Sequence, residues 1–312
     1  MALLYWLESI RNPVLTFIMQ LFTYLGNEKL FLIIALTVYW CVRKRDGIYL
    51  LFVGFVGTVL NQFLKLVFHI PRPWVKDRNF TAVESAKADA GGYSFPSGHT
   101  QSVVGNLGGI ARVTDRKWLR IVCIVVLLLT SFSRMYLGVH TPEDVGVSLV
   151  IGAVLIFALY PIVRKAVENP KLMYSLIGVL LLISLAFVLY ANLKDFSALG
   201  HEEDVLENIK EARKNSFSLF GAMCGFLIAY PVEQRYIRFK EQAVWWVQIL
   251  KTVLGFGCLL ALLAGLKALL GTETHLALNT VRYGLVVFFA VAVWPLSFPL
   301  LSRLSERKKE TE

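Results

Sequence analysis

The chain has 312 residues, 56% of them hydrophobic and 17% charged, with a formal net charge of +10 and a mean hydropathy of +0.59. So much apolar and so little charged sequence excludes a soluble domain of this size and reads as a polytopic membrane protein. The positive balance does not mark a nucleic-acid binder, because the basic residues sit in short loops between apolar runs.

The first stretch, Met1–Pro13, sets Leu3, Leu4, Trp6 and Leu7 beside Glu8 and Arg11 and lacks a small-residue cleavage site. It is expected as an interfacial helix rather than a cleaved signal. About ten apolar segments follow, near 13–25, 28–42, 47–70, 98–113, 118–137, 142–163, 172–191, 214–231, 244–269 and 280–302. Crossing the hydrocarbon core takes about 20 residues, so the first two, parted by "LGNEK", read as a tilted or shallow pair. Losing both crossings together would leave every later orientation unchanged.

Basic clusters give direction. They are Arg43, Lys44 and Arg45; Arg112, Arg116, Lys117 and Arg120; Arg164, Lys165 and Lys171; Arg235, Arg238 and Lys240; and Arg303, Arg307, Lys308 and Lys309. Alternating segments put all of them on one face, expected to be cytoplasmic, together with both termini. The other face then holds the longer loops 71–97 and 192–213, the second with a surface helix. The expected fold is an all-α polytopic membrane helix bundle. It divides after the sixth segment into a six-helix core, 1–164, and a four-helix extension, 165–312. Lining a lipid access groove, forming a homodimer contact and doing neither are all open for the extension. Cys41, Cys123, Cys224 and Cys258 lie far apart in apolar runs and read as small buried hydrophobes, without disulfide or metal spacing.

Three polar clusters fall on the outer face. The third segment ends with Lys65, Arg72 and Pro73, the fourth begins with Pro96-Ser97-Gly98-His99, and the fifth leaves through Ser133, Arg134, His140 and Asp144. Lys65, Arg72 and Arg134 would neutralise a phosphate, the arginines through bidentate forks. Ser97 and Gly98 stand at a helix start, where N–H groups point at an anion. His140 precedes Asp144 by four residues, so a helical turn sets both on one face. The carboxylate then holds one ring nitrogen as a donor and leaves the other as a nucleophile. His99, from another helix, is placed to protonate a leaving oxygen, and water would hydrolyse the resulting phosphohistidine. Phosphoryl transfer rests mainly on positioning and charge, so three fixed cations can stand in for a metal; no metal and no cofactor is expected.

Lys-x6-Arg-Pro at 65–73, Pro-Ser-Gly-His at 96–99 and Ser-Arg-x5-His-x3-Asp at 133–144 together resemble the three-part signature of the type 2 phosphatidic acid phosphatase superfamily. That superfamily includes lipid phosphate phosphatases, undecaprenyl-diphosphate phosphatases, sphingosine-1-phosphate phosphatases, glucose-6-phosphatase and vanadium haloperoxidases. The resemblance implies His140 as nucleophile, Asp144 as its partner and His99 as general acid. Lys65, Arg72, Ser97, Gly98 and Arg134 would bind the phosphate, without a metal. The added C-terminal spans resemble the layout of the sphingosine-1-phosphate and glucose-6-phosphatase branches.

The expected activity is hydrolysis of a lipid phosphate or diphosphate, such as phosphatidate, a sphingoid-base phosphate or a polyprenyl diphosphate, at the extracytoplasmic face of a bacterial plasma membrane. The alternatives are a sugar-phosphate phosphatase, a phosphotransferase, and a catalytically silent lipid-phosphate binder or transporter. A silent binder has no use for an acid–nucleophile pair. Outside the signature, His69 reads as a packing residue and His201 and His275 as solvated loop residues. Trp40, Trp74, Trp118, Trp245 and Trp246 read as aromatic belts, and Arg282 and Glu273 as candidates for an outer polar vestibule.

Overall fold

A computed structural model describes residues 1–88, 90–200, 203–271 and 275–302, and among them every regular element is helical. The expectations for His201, Glu273, Arg303, Arg307, Lys308 and Lys309 lie outside the described residues. The front of the chain forms α1 (Ala2–Ser9), α2 (Pro13–Tyr24), α3 (Glu28–Cys41), α4 (Lys44–Phe68), the short α5 (Pro73–Lys76) and α6 (Glu84–Ala88), then α7 (Gly98–Val103), α8 (Gly109–Val113), α9 (Lys117–Tyr136) and α10 (Pro142–Glu168). The back forms α11 (Pro170–Leu193), α12 (Glu203–Val232), α13 (Trp245–Leu270) and α14 (Asn279–Phe288).

Among the described residues, seven helical stretches are long and apolar enough to cross a membrane, four of them from Pro170 onward. By packing, the chain forms two compact units. One comprises the described residues of Met1–Ile34, Tyr49–Val163 and Asp195–Ala212; the other those of Ala35–Ile48, Arg164–Lys194 and Arg213–Glu312.

In the first unit, Asn12 caps α2 through its side chain, which accepts from the Leu15 N–H at 3.0 Å, with Pro13 at the first helical position. A bend of 47° then joins α2 to α3, which are long and apolar enough to cross a membrane only when taken together, as a broken span or a re-entrant loop. Leu4 and Leu7 of α1 are fully buried against Phe80, Ala86, Tyr136, Leu137 and Val139. The Tyr5 hydroxyl donates to Asp77 at 2.7 Å, and Arg11 Nε donates to the Tyr136 carbonyl at 3.0 Å. The N-terminal helix is therefore clamped to the end of α9 and the 77–86 loop, the end at which the signature residues gather, and not to the end that carries Arg112, Arg116, Lys117 and Arg120.

A five-residue π-turn, Val104–Gly108, joins α7 to α8 in one helical run. At 1.5 Å per residue the 98–113 run reaches about 24 Å, short of a hydrocarbon core of about 30 Å. Its start consequently lies inside the bundle, where Ser97 and Thr100 have no exposed surface. At the other motif, α9 ends in Leu137 and Gly138, and Gly138 adopts φ +79°. A Cβ there would lie 2.6 Å from Arg11 Nη2 and 2.9 Å from the Phe80 ring.

In the second unit, α12 and α14 meet through small residues. A Cβ on Gly221 would lie 2.2 Å from the Thr280 carbonyl oxygen, and one on Gly225 2.2 Å from that of Gly284. This is the close backbone approach that a Gly-x3-Gly spacing permits between membrane helices. Lys44 Nζ pairs with the buried Glu233 at 2.5 Å. Trp40 departs from the belt expectation: it is fully buried, and its indole N–H donates to the Ala290 carbonyl at 2.9 Å. Trp118 and Trp245 are exposed as a belt requires. Cys258 is exposed rather than buried. The expected surface helix in 192–213 is instead the beginning of α12, which starts at Glu203.

Gly138→Ala should destabilise the protein by about 1–3 kcal/mol, the cost of a left-handed non-glycine residue, with the Arg11 and Phe80 contacts adding to it. Thermal unfolding in detergent would read this as a lowered midpoint, whereas Gly146→Ala, at a glycine with open space around it, should leave the midpoint nearly unchanged.

Candidate functional site

The three sequence clusters meet at one end of the first unit. Lys65 stands in the last turn of α4. The chain leaves that helix through His69, at φ +50°, whose ring packs edge-on against Tyr93 and Phe196 at 5.3 and 5.9 Å. Arg72 follows as the residue capping α5. Ser97 caps α7, its Oγ accepting from the Thr100 N–H at 3.4 Å. Arg134 is in the last turn of α9, and Asp144 in the first turn of α10.

Arg72 links these elements. Its Nε donates to the Gly92 carbonyl at 3.0 Å, Nη2 to Gly91 at 2.6 Å, and Nη1 both to Val139 at 3.0 Å and to His140 Nε2 at 2.9 Å. Nη1 also lies 3.4 Å from His140 Nδ1; a guanidinium only donates, so the shorter contact assigns the lone pair to Nε2 and the proton to Nδ1. Nδ1 faces Asp144 Oδ2 at 3.4 Å. His140 lies in the turn between α9 and α10. Burial, followed by the charges of Arg72, Arg134, Lys65 and His99, holds its pKa well below the ordinary imidazole value. The ring is therefore neutral at neutral pH, as a nucleophile requires.

Asp144 is itself fixed in place. Its Oδ2 accepts from the Ser94 hydroxyl at 2.6 Å and the Thr141 N–H at 2.8 Å. Its backbone carbonyl accepts from the Ser97 N–H at 3.2 Å, and Ser148 Oγ lies within 3.0 Å of both the Ser97 and Asp144 carbonyls. This alters one expectation: the Ser97 N–H is engaged by Asp144, so the amides that this helix start leaves for an anion are those of Gly98 and His99.

Lys65 Nζ approaches the Gly91 carbonyl at 3.5 Å, so the Gly91–Gly92 turn holds two of the three cations. Gly92 takes φ +70° there, which favours glycine. Arg134 has no exposed surface and donates to the Thr23 hydroxyl of α2. His99 is held from behind, because a Cβ on Gly26, at the α2–α3 bend, would lie 2.9 Å from its carbonyl oxygen and 3.1 Å from its Cβ. Trp74, read from sequence as a belt residue, instead sets its ring 5.9 Å from both the Arg72 guanidinium and Lys87 Nζ.

Several residues at the site escaped the sequence reading. Asn61 donates to the Pro96 carbonyl at 3.2 Å, and its buried Oδ1 has no partner among the described residues. That oxygen and Glu28 Oε1 lie 3.6 and 3.8 Å from where a Gly98 Cβ would be. Asn61 precedes Lys65 by four residues and Ser148 follows Asp144 by four, so helical spacing from the signature would have found both. Ser94 had no such signal. Its loss leaves a buried carboxylate short of one donor, at about 1–3 kcal/mol. Ser94→Ala should accordingly lower kcat for phosphate release about tenfold, with KM little changed; steady-state kinetics would read the split.

The model of the PAP2 superfamily matches residues 46–168, and that of the transmembrane extension of PAP2 superfamily phosphatases matches 217–307. Undecaprenyl-diphosphatase BcrC of Bacillus subtilis is 32% identical over 154 residues, covering 49% of this chain and 77% of that protein. A probable sphingosine-1-phosphate phosphatase of Dictyostelium discoideum is 30% identical over 176 residues, 52% of this chain and 42% of the relative. Human glucose-6-phosphatase 3 is 24% identical over 203 residues, 59% and 56% respectively. No solved structure matches the chain significantly. With the three motifs gathered at one site in a helical membrane protein, the chain belongs to the PAP2 superfamily and is an integral-membrane phosphatase.

Proposed function

We propose that this protein hydrolyses a lipid phosphate or diphosphate through a phosphohistidine on His140, at the extracytoplasmic face of a bacterial plasma membrane. The observation that carries this reading is the position of His140 between Arg72 and Asp144. Its Nε2 meets Arg72 Nη1 at 2.9 Å and its Nδ1 faces Asp144 at 3.4 Å, with Arg134, Lys65 and His99 near enough for their charges to act on the ring. Before substrate arrives, Arg72 Nη1 covers Nε2. Phosphate oxygens replace that acceptor and free the nitrogen to attack phosphorus.

In the first step the Nε2–P bond forms and the bond from phosphorus to the leaving oxygen breaks, with the proton passing from His99 to that oxygen. In the second, His99 takes a proton from water, whose oxygen attacks phosphorus and displaces His140. Lys65, Arg72 and Arg134, with the Gly98 and His99 amides, carry the charge on the equatorial oxygens. Ser97 contributes by capping the helix that presents those amides. The chemistry resides in 1–164, and 165–312 extends it.

The relatives support a lipid substrate: undecaprenyl-diphosphatases of Bacillus subtilis and Sulfolobus acidocaldarius and phosphatidylglycerophosphatase B of Bacillus subtilis are named for lipid-linked phosphates. The positive-inside rule supports the side, since Arg112, Arg116, Lys117 and Arg120 stand at the ends of α8 and α9 remote from the site. The N-terminal helix then shares the outer face with the site.

Purified full-length protein in EDTA should release phosphate from at least one of phosphatidate, sphingoid-base phosphate and undecaprenyl diphosphate, in preference to glucose 6-phosphate. His140→Ala should reduce that rate at least about a thousandfold. Binding without turnover across the panel would refute the enzyme reading, and dependence on an added divalent metal would refute the mechanism. A cysteine placed in loop 77–83 of a cysteine-free variant should react with an impermeant maleimide in intact cells; reaction only after lysis would reverse the orientation.

A further inference from the structure

The Gly91–Gly92 turn that holds Arg72 and Lys65 carries a carboxylate on its outer side. Glu211, in the third turn of α12, would sit 3.0 Å (Oε2) and 3.4 Å (Oε1) from a Cβ on Gly91. From a Cβ on Gly92, Lys65 Nζ is 3.6 Å and Glu211 Oε2 3.8 Å away. The lysine and the glutamate therefore converge on the same side of one glycine. The gap bounded by Lys65, Gly92, Tyr93, Asn208 and Glu211 measures about 10 Å³, about one water. Glu211 is exposed whereas Lys65 is buried, so the carboxylate stands on the accessible side of the Gly91–Gly92 turn. It lies outside both matched family regions, 46–168 and 217–307.

This arrangement changes the charge balance that a substrate meets. Lys65, Arg72 and Arg134 attract one phosphate at the α7 start. A second phosphate beyond the first would have to settle next to a fixed negative group, where like charges repel. We propose that Glu211 is a specificity-determining residue that restricts the headgroup to a single phosphate, by placing a carboxylate where the lipid-linked phosphate of a diphosphate would lie once its terminal phosphate is at His140. This rests on the phosphatase site described above and narrows its substrate class. Glu211 touches no reacting atom; its effect is on which headgroup binds.

The test compares diacylglycerol phosphate with diacylglycerol diphosphate of identical chains in the same detergent micelles, for the full chain and for Glu211→Gln. The diphosphate-to-monophosphate ratio of kcat/KM should rise about tenfold in Glu211→Gln, equivalent to about 1.4 kcal/mol, through KM and with kcat for the monophosphate retained. Glu211→Asp, which keeps the charge, should hold the original ratio. The preference should also fade with added salt, because the carboxylate is exposed. In parallel, calorimetry with inorganic phosphate and pyrophosphate reads the same preference without turnover. An unchanged ratio in a Glu211→Gln variant that still hydrolyses the monophosphate overturns the proposal, as does an equal loss on both substrates. If the unmodified protein hydrolyses neither lipid, the phosphatase reading fails, while an altered pyrophosphate-to-phosphate affinity ratio in Glu211→Gln would still support the charge role of Glu211.

Discussion

Burying cations at the edge of a membrane is the constraint on which the rest of this structure depends. An unpaired buried charge costs several kcal/mol or more, and here Lys65, Arg72 and Arg134 all lie below the surface. Arg72 meets the cost with three backbone carbonyls and a neutral imidazole. Carbonyls aimed that way need a tight turn, which accounts for Gly91–Gly92, and a sharp exit from α9, which accounts for Gly138. Carbonyl acceptors also yield to a phosphate more readily than carboxylates would. On the proposed mechanism, the same interactions hold the site together when empty and give way when substrate arrives.

The ends of the helices follow from this. The 98–113 helix is too short to reach both faces, and that shortness brings its first amides down to the level of Arg72 and His140. The α2–α3 bend closes over His99 from behind through Gly26, and Thr23 meets Arg134. The N-terminal helix then pins the loop between α5 and α6 to the α9 exit with Leu4, Leu7, Tyr5 and Arg11. Each element near the site restrains a segment that presents a charged side chain.

The helical class, the four-helix extension and the three charged clusters were legible in the sequence for physical reasons. Apolar runs mark spans, and charged groups beside them are too costly to be incidental. What escaped was of two kinds. Neutral polar residues such as Ser94 and Asn61 carry no charge to draw notice, yet they orient the Asp144 carboxylate and frame the helix start. The other kind concerned path rather than composition. A run of apolar residues does not say whether a break such as "LGNEK" reverses the chain or merely bends it, nor that α1 would pack against the end of α9 where the signature residues gather. Trp40 was misread for a related reason: an indole near a basic cluster fits a belt by sequence, but its N–H found a carbonyl inside the protein. Glu211 was hidden because its segment is polar enough to pass for a surface loop, although it is the beginning of a membrane-spanning helix.

The central claim is that phosphorus is transferred to His140 before it reaches water. Quenching the enzyme in alkali during turnover of a 32P-labelled lipid phosphate, followed by peptide mapping, tests it most directly. The expected result is label on the peptide containing His140, stable in alkali and lost in acid, that accumulates when the second step is slowed. Label on another residue, or full turnover in the first milliseconds with no labelled protein at any time, would contradict it.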